Sequence, residues 1–223
     1  AIKSYSSLED AMKGVAKQVN PLLDGNGNRT AKYYEIQKAI KAAAELQPME
    51  NGAVDFAALV EGGARMGVAS DKDPWVKQKA DLLGFAMTAA KAAKAFELPA
   101  DQLADDLGKI AFLYGVPTKK IEELGDTLNY LDDNTQAKGA EIINVLQRMG
   151  DTADKLNYKQ AAALGSTFLS LGAPPEIAAS ASKAMVRELG IASMQGKRFL
   201  QGMKILGLNA NKLEKGIAYN AVD

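Results

Sequence analysis

The spacing of the apolar residues constrains this chain more than any other feature. They recur every three or four positions along almost its whole length, and strict alternation is rare. Clusters of β-branched and aromatic residues, which mark strands, are missing, whereas Ala, the best helix former, is abundant. The pattern predicts an all-α fold, a multi-helix bundle of about ten short-to-medium helices. Short links favour antiparallel neighbours, with stacked helical hairpins as one arrangement.

Local signals place the helices. The first is expected from Ser7 to Asn20, with Ser6 and Glu9 at capping-box spacing and Pro21 as its stop. After the polar stretch DGNGN, Thr30 is expected to cap a helix to about Leu46, and Asp55 one through Met66 that the Gly62-Gly63 pair weakens. Asp73 as N-cap and Pro74 as first helical residue open a helix to Glu97, about 36 Å long. Its expected face is Leu82, Phe85, Ala89, Ala93 and Phe96. Pro99 opens a helix closed by Gly115, and Pro117 opens one ending near Leu131. Asn134 or Thr135 should cap a helix to Met149, and Asn157 one to Leu171 closed by Gly172. Pro174 and Pro175 open one to Leu189, and short helices from Met194 to Leu206 and from Asn209 to Tyr219 finish the chain. Asp71 to Pro74 suggests a division into an N-terminal helical segment, residues 1–70, and a second module, residues 71–223.

LGKIAFLYGVP (Leu107 to Pro117) aligns without a gap on LGSTFLSLGAP (Leu164 to Pro174), each a helix, a glycine stop and a proline start. Stacked helical pairs and convergent helix punctuation both explain it. Gly84, Gly108, Gly125, Gly139 and Gly165 fall inside expected helices, at about 1 kcal/mol each relative to Ala. Either backbones approach closely there or the helices break.

Composition narrows the chemistry. His and Cys are both absent, which removes the commonest general base, the commonest transition-metal ligand and all thiolate chemistry. Lys+Arg and Asp+Glu balance at 27 each, without the basic excess of a dedicated nucleic-acid binder. The charges are unevenly placed. Glu97 to Asp133 holds nine acids against three bases, and Lys183 to Val222 seven bases against two acids. Solvated faces account for this, as does head-to-tail attraction between copies. No apolar run approaches the ~20 residues that span a bilayer. The start AIKSYSSLED has no apolar stretch of signal-peptide type, and without an initial Met the chain reads as a segment of a longer protein.

No catalytic, cofactor-binding or metal-ligating residue is assigned. In DGNGNRTAKYYE, Asp24, Asn26, Asn28 and Glu35 take positions 1, 3, 5 and 12 of an EF-hand loop. Arg29, however, sits where the turn needs Gly, so a polar turn is expected. The pairs Asp105-Asp106, Glu122-Glu123 and Asp132-Asp133 point about 100° apart on a helix and suit solvated faces better than acid-base catalysis. Ser180 and Lys183 show SxxK spacing without a His partner. Trp75 is expected as a core or interface anchor. Lys77, Lys79, Lys91 and Lys94 on the Ala-rich helix invite a membrane-surface reading, against which its small-residue face favours burial in a bundle.

From about Phe96 to Glu188 the order of motifs resembles the core region of phage tail tape-measure proteins. ELGDTLNYLDDNTQAKGAEIINVLQRMG carries the pattern on Asp126, Asn129, Asn134 and Thr135, with Gly150 ending the helix that follows. Ala161 to Met185 is similar to the family's small-residue helix, glycine turn and second Ala-rich helix, and Val60 to Ser70 resembles the region upstream. The resemblance implies a structural, non-catalytic protein of a phage or prophage tail. Several copies would lie in the tail lumen, where their length sets tail length, after assembly in the host cytoplasm. The implied partners are copies of itself (a homo-oligomer), the tail tube protein, tail assembly chaperones and the baseplate hub, with no nucleic acid and no stable membrane insertion. No cofactor is implied. A helix punctuated every fifteen to twenty residues or so departs from an extended ruler and points to a compact module within it. A helical adaptor or scaffold unrelated to tails and a membrane-active helical domain are the alternative readings.

Overall fold

The computed structural model of the chain describes residues 2–218, with side chains over 7–117 and 119–218. Eleven α-helices carry it: α1 (Ile2–Gln18), α2 (Ala31–Leu46), α3 (Ala53–Arg65), α4 (Trp75–Ala95), α5 (Ala100–Leu113), α6 (Ile121–Asn134), α7 (Gly139–Arg148), α8 (Tyr158–Ser170), α9 (Pro175–Gly190), α10 (Lys197–Ile205) and α11 (Ala210–Ala218). Four 3-10 turns sit between them, and no strand occurs among the described residues. The all-α multi-helix bundle expected from the apolar spacing is what forms.

The chain divides into two compact units, Ala1–Ala111 with Val116–Asp126, and Phe112–Gly115 with Thr127–Asp223. In the first, α3 is the hub, packed by α1, α2 and α4. Its Phe56, Leu59 and Val60 are fully buried with Met12 and Val15 of α1 and Ile36 and Ile40 of α2. Full burial of one such side chain is worth about 1.5–3 kcal/mol. The Gly62-Gly63 pair does not weaken α3. A Cβ at Gly62 would fall 2.5 Å from that of Ala104 on α5, and one at Gly63 2.5 Å from Phe85 Cδ1 on α4. The pair lets both neighbours seat against the α3 backbone.

In the second unit α7, α8 and α9 pack on one another and α11 on α9. Gly165 of α8 lies where a Cβ would meet Val145 Cγ1 at 2.5 Å, and Gly108 of α5 in the first unit stands likewise against Met66. The other expected outcome, a helix break, also occurs, and so does one that was not expected. Gly139 is the first residue of α7, so the helix breaks before it, and Gly84 has nothing within 4 Å of its Cβ position.

Several helix ends differ from the local signals. α1 is helical from Ile2, so Ser6 lies within it and does not cap it. Pro74 (φ −56°, ψ 145°) is itself the cap position of α4, because its extended ψ places it outside the helix. Asp73 instead holds Lys77 at 2.8 Å. Neither Asn134 nor Thr135 caps α7. Asn134 Nδ2 donates to Tyr130 O at 2.8 Å and Thr135 Oγ1 to Leu131 O at 2.7 Å, so both close the end of α6. Glu141 and Asp132 accept the first amides of α7 instead, from Lys138 N at 3.2 Å and Gly139 N at 2.6 Å. Thr30 precedes α2 as expected, but its hydroxyl donates to Pro21 O at 2.8 Å and ties the turn rather than the helix. Asn157 and Gln160 do form a reciprocal capping box on α8, at 3.0 and 3.1 Å. Both expected glycine stops hold, with Gly115 at φ 61° and Gly172 at φ 89°. Tyr219, the expected end of the last helix, lies outside the described residues.

The contrast between the glycines is testable by urea unfolding. Gly62→Ala should destabilise the chain by about 1–3 kcal/mol, because neither Ala104 nor the new methyl can rotate away. Gly84→Ala, with open space around it, should stabilise by about 1 kcal/mol.

Candidate functional site

A groove of about 740 Å³ lies in the first unit, between the α2–α3 link, α3, the end of α4 and the start of α5. Its floor is apolar, from Val54, Ala58, Ala93, Leu98 and Ala100. Its rim carries Glu50, Asp55, Glu97 and Asp101 against the single base Lys94. Backbone geometry shapes this rim. Glu97 takes φ 55°, the only non-glycine residue in the left-handed region among those described, and the Leu98 amide closes α4 on Ala93 O at 3.0 Å. That turn brings Leu98 and Pro99 into the groove lining. Asp55 is partly occupied, accepting the Asn51 amide at 2.9 Å.

The DGNGN stretch is a tight polar turn. Asp24 Oδ1 accepts the amides of Asn26 and Asn28, each at 2.8 Å, and Leu23 pairs with Arg29 in an isolated bridge. These bonds hold the Asp24 carboxyl below the usual carboxylate range. Glu35 turns away to α4, where it accepts from Lys79 Nζ and, at 2.8 Å, from Trp75 Nε1. The lysine ammonium first, then the indole N–H, lowers the Glu35 pKa. Asp24, Asn26 and Asn28 thus share one turn while Glu35 is held apart from them, and Trp75 is a half-buried tie between α2 and α4. No group of three acidic side chains converges as a metal would need among the described residues.

The remaining sequence candidates are also dispersed. Ser180 Oγ donates to Glu176 O at 2.8 Å, while Lys183 lies 3.3 Å from Asp151. Asp105 pairs with Arg65 at 3.0 Å, and Asp106 is buried with Lys109 at 3.8 Å. Glu122 is exposed and Glu123 half-buried on α6. Asp133 accepts from Asn129 at 3.0 Å. On α4, Lys77 is held between Asp73 and Asp81, which raises its pKa, and Lys91 and Lys94 are exposed. Leu82, Phe85, Ala89, Ala93 and Phe96 are all buried, so the apolar face of α4 is spent inside its unit. No helix among the described residues is long and apolar enough to cross a membrane.

Two features were not found from the sequence. The groove is assembled from three separated stretches, which no local pattern joins. The other is the turn after α10, where Ile205 and Leu206 are 84% and 73% exposed and Leu208 is also exposed. Its signal was the ILGL run, which periodicity assigns to a helix face without saying whether anything covers that face.

Comparison with known proteins gives one match. The model of a family described as phage-related minor tail protein covers residues 37–223, and thus reaches across both compact units. No curated protein matches the chain, and neither does a solved structure.

Two measurements check the polar cluster. Calorimetric titration with calcium should give no heat of binding, since Asp24 and Glu35 are engaged separately. Glu35 has a lowered folded-state pKa, so its contribution is present above the ordinary carboxylate range and lost as pH falls through the folded value. The melting temperature of Glu35→Gln should accordingly lie below that of the unaltered chain near neutral pH, and the two should converge as pH falls through the lowered pKa of folded Glu35.

Proposed function

This chain belongs to the phage-related minor tail protein family, and from that premise we propose that it is a folded segment of a phage tail tape-measure protein, structural in role. It takes part in tail assembly and in setting tail length inside the tube. The family match over residues 37–223 carries the tail role. Support for the finer reading comes from the tape-measure order of helix, glycine stop and Ala-rich helix over Glu123 to Met185, which α6 to α9 follow.

The helix lengths argue for how it acts. The longest, α4, has 21 residues and extends about 31 Å. A chain folded into two compact units is a poor ruler by itself, so this segment is a compact module carried by the measuring protein and takes part in setting length as part of that protein, not as its extended stretch. Along the sequence we assign residues 71–223 to the core module and residues 1–70 to a helical segment preceding it, a division that runs through the first compact unit and does not follow the boundary between the two. Its partners are copies of itself, the tube protein, the tail assembly chaperones and the baseplate hub. It resides in the tail lumen after assembly in the host cytoplasm.

Electron micrographs of tails from a phage whose full-length gene lacks this segment in frame test the proposal. The expected result is no tails, because a folded module needed to start or close assembly is gone. Tails shortened by up to about 1.5 Å per deleted residue would show that the segment is extended in the ruler and not folded. Tails of normal number and length would overturn the reading.

A further inference from the structure

We propose that copies of this chain associate head to tail, with the basic, apolar turn after α10 of one copy seated in the acidic groove of the next. Both surfaces are already formed. The groove has an apolar floor and a rim on which Glu50, Glu97 and Asp101 are exposed. Its volume of about 740 Å³ falls within the ~300–1,000 Å³ typical of sites that enclose a compact apolar group.

The complementary surface lies in the second unit. Of the nine residues of α10 only Met203 is buried. Ile205, Leu206 and Leu208 project into solvent around a turn that Gly207 holds at φ 71°, with the Leu208 amide bonded to Met203 O at 2.8 Å. The apolar knob therefore has a fixed shape before it meets anything, which reduces the ordering cost of binding. Lys204 stands next to it in the chain, and Lys197 and Arg198 lie at the other end of the same helix, about 12 Å along its axis, all three exposed and in no ion pair among the described residues.

Charge selects the occupant. The groove calls for an apolar group with positive flanks, and the chain itself carries one. Its zero net charge conceals an acidic stretch that contributes Glu97 and Asp101 to the groove and a basic stretch that contains the turn. Opposite fields on the two surfaces steer such an encounter and fix its register. Because two different surfaces meet, a pair leaves the groove of one copy and the turn of the other unused, so further copies can add at either end and the pair does not close symmetrically. This deepens the tail-assembly reading, and rests on it only for where copies would meet.

The test uses the purified full chain. Sedimentation should show association beyond a dimer as concentration rises, weakened by salt. Lys204→Glu and Glu97→Lys should each weaken it roughly tenfold, and a mixture of the two variants should recover it, because each altered surface then meets an opposite charge on the other variant. Since the chain has no cysteine, cross-linking gives a second readout. Under mild oxidation a Leu206→Cys chain should form a disulfide with a Leu98→Cys chain. It should react much more slowly with Val76→Cys, an exposed position outside the groove. A monomer at every concentration overturns the proposal, and so does cross-linking no faster at the groove than at Val76→Cys. A disulfide closing within one chain that carries both cysteines would also overturn it, because the occupant would then be the same copy. None of these failures bears on the tails seen after deletion, so the contact and the tail role can fail separately.

Discussion

The first unit depends on how closely two helices approach the backbone of α3. At Gly62 and Gly63 the neighbours are Ala104 and Phe85, each so near that a single added carbon at the glycine would collide. Dispersion between close atoms is weak per pair and large in sum, so removing two side chains at the crossing lets many other contacts form. The buried faces of α1, α2 and α4 are arranged around that point. Two glycines inside a helix cost backbone entropy, about 1 kcal/mol each, and the packing offsets it. Gly165 against Val145 repeats the device in the second unit.

Helix ends are the other organising element. Gly67, Gly115, Gly172 and Gly207 all sit at positive φ, each just after a helix. In each case the next residue's amide bonds back to a carbonyl five positions earlier, as in Val116 to Ala111 at 2.8 Å and Ala173 to Phe168 at 3.1 Å. Glu97 does the same without being glycine. These stops divide the chain into pieces of 9 to 21 residues, short enough to fold back into compact units. The two aligned stretches, Leu107 to Pro117 and Leu164 to Pro174, share this ending at α5 and at α8.

Function on this scaffold is a matter of surfaces. The polar candidates are engaged in local bonds: Asp24 within its turn, Glu35 with Trp75 and Lys79, Ser180 with the carbonyl behind it. The features with capacity to spare are the acid-rimmed groove and the apolar turn after α10. In a chain of the phage-related minor tail protein family these two surfaces are the parts not already engaged within their own units.

The sequence by itself determined the class of fold, the number of helices to within one or two, and most of their ends. It could do so because those properties are local. Periodicity, a capping Asn157 or a glycine at φ 89° such as Gly172 acts within a few residues of itself. It also carried the tail resemblance, since the order of punctuation is a property of the string. Only the tertiary structure decided what each small residue is for. Gly62, Gly84 and Gly139 look alike in sequence, yet one is a crossing point, one faces open space and one starts a helix. The same limit applied to Asn134 and Thr135, whose side chains can serve a helix on either side and were claimed by the carbonyls of α6. The groove and the uncovered turn belong to the same category. Each depends on which distant stretches pack together and which apolar faces are left without a neighbour, and that is settled by the competition for burial across the whole chain.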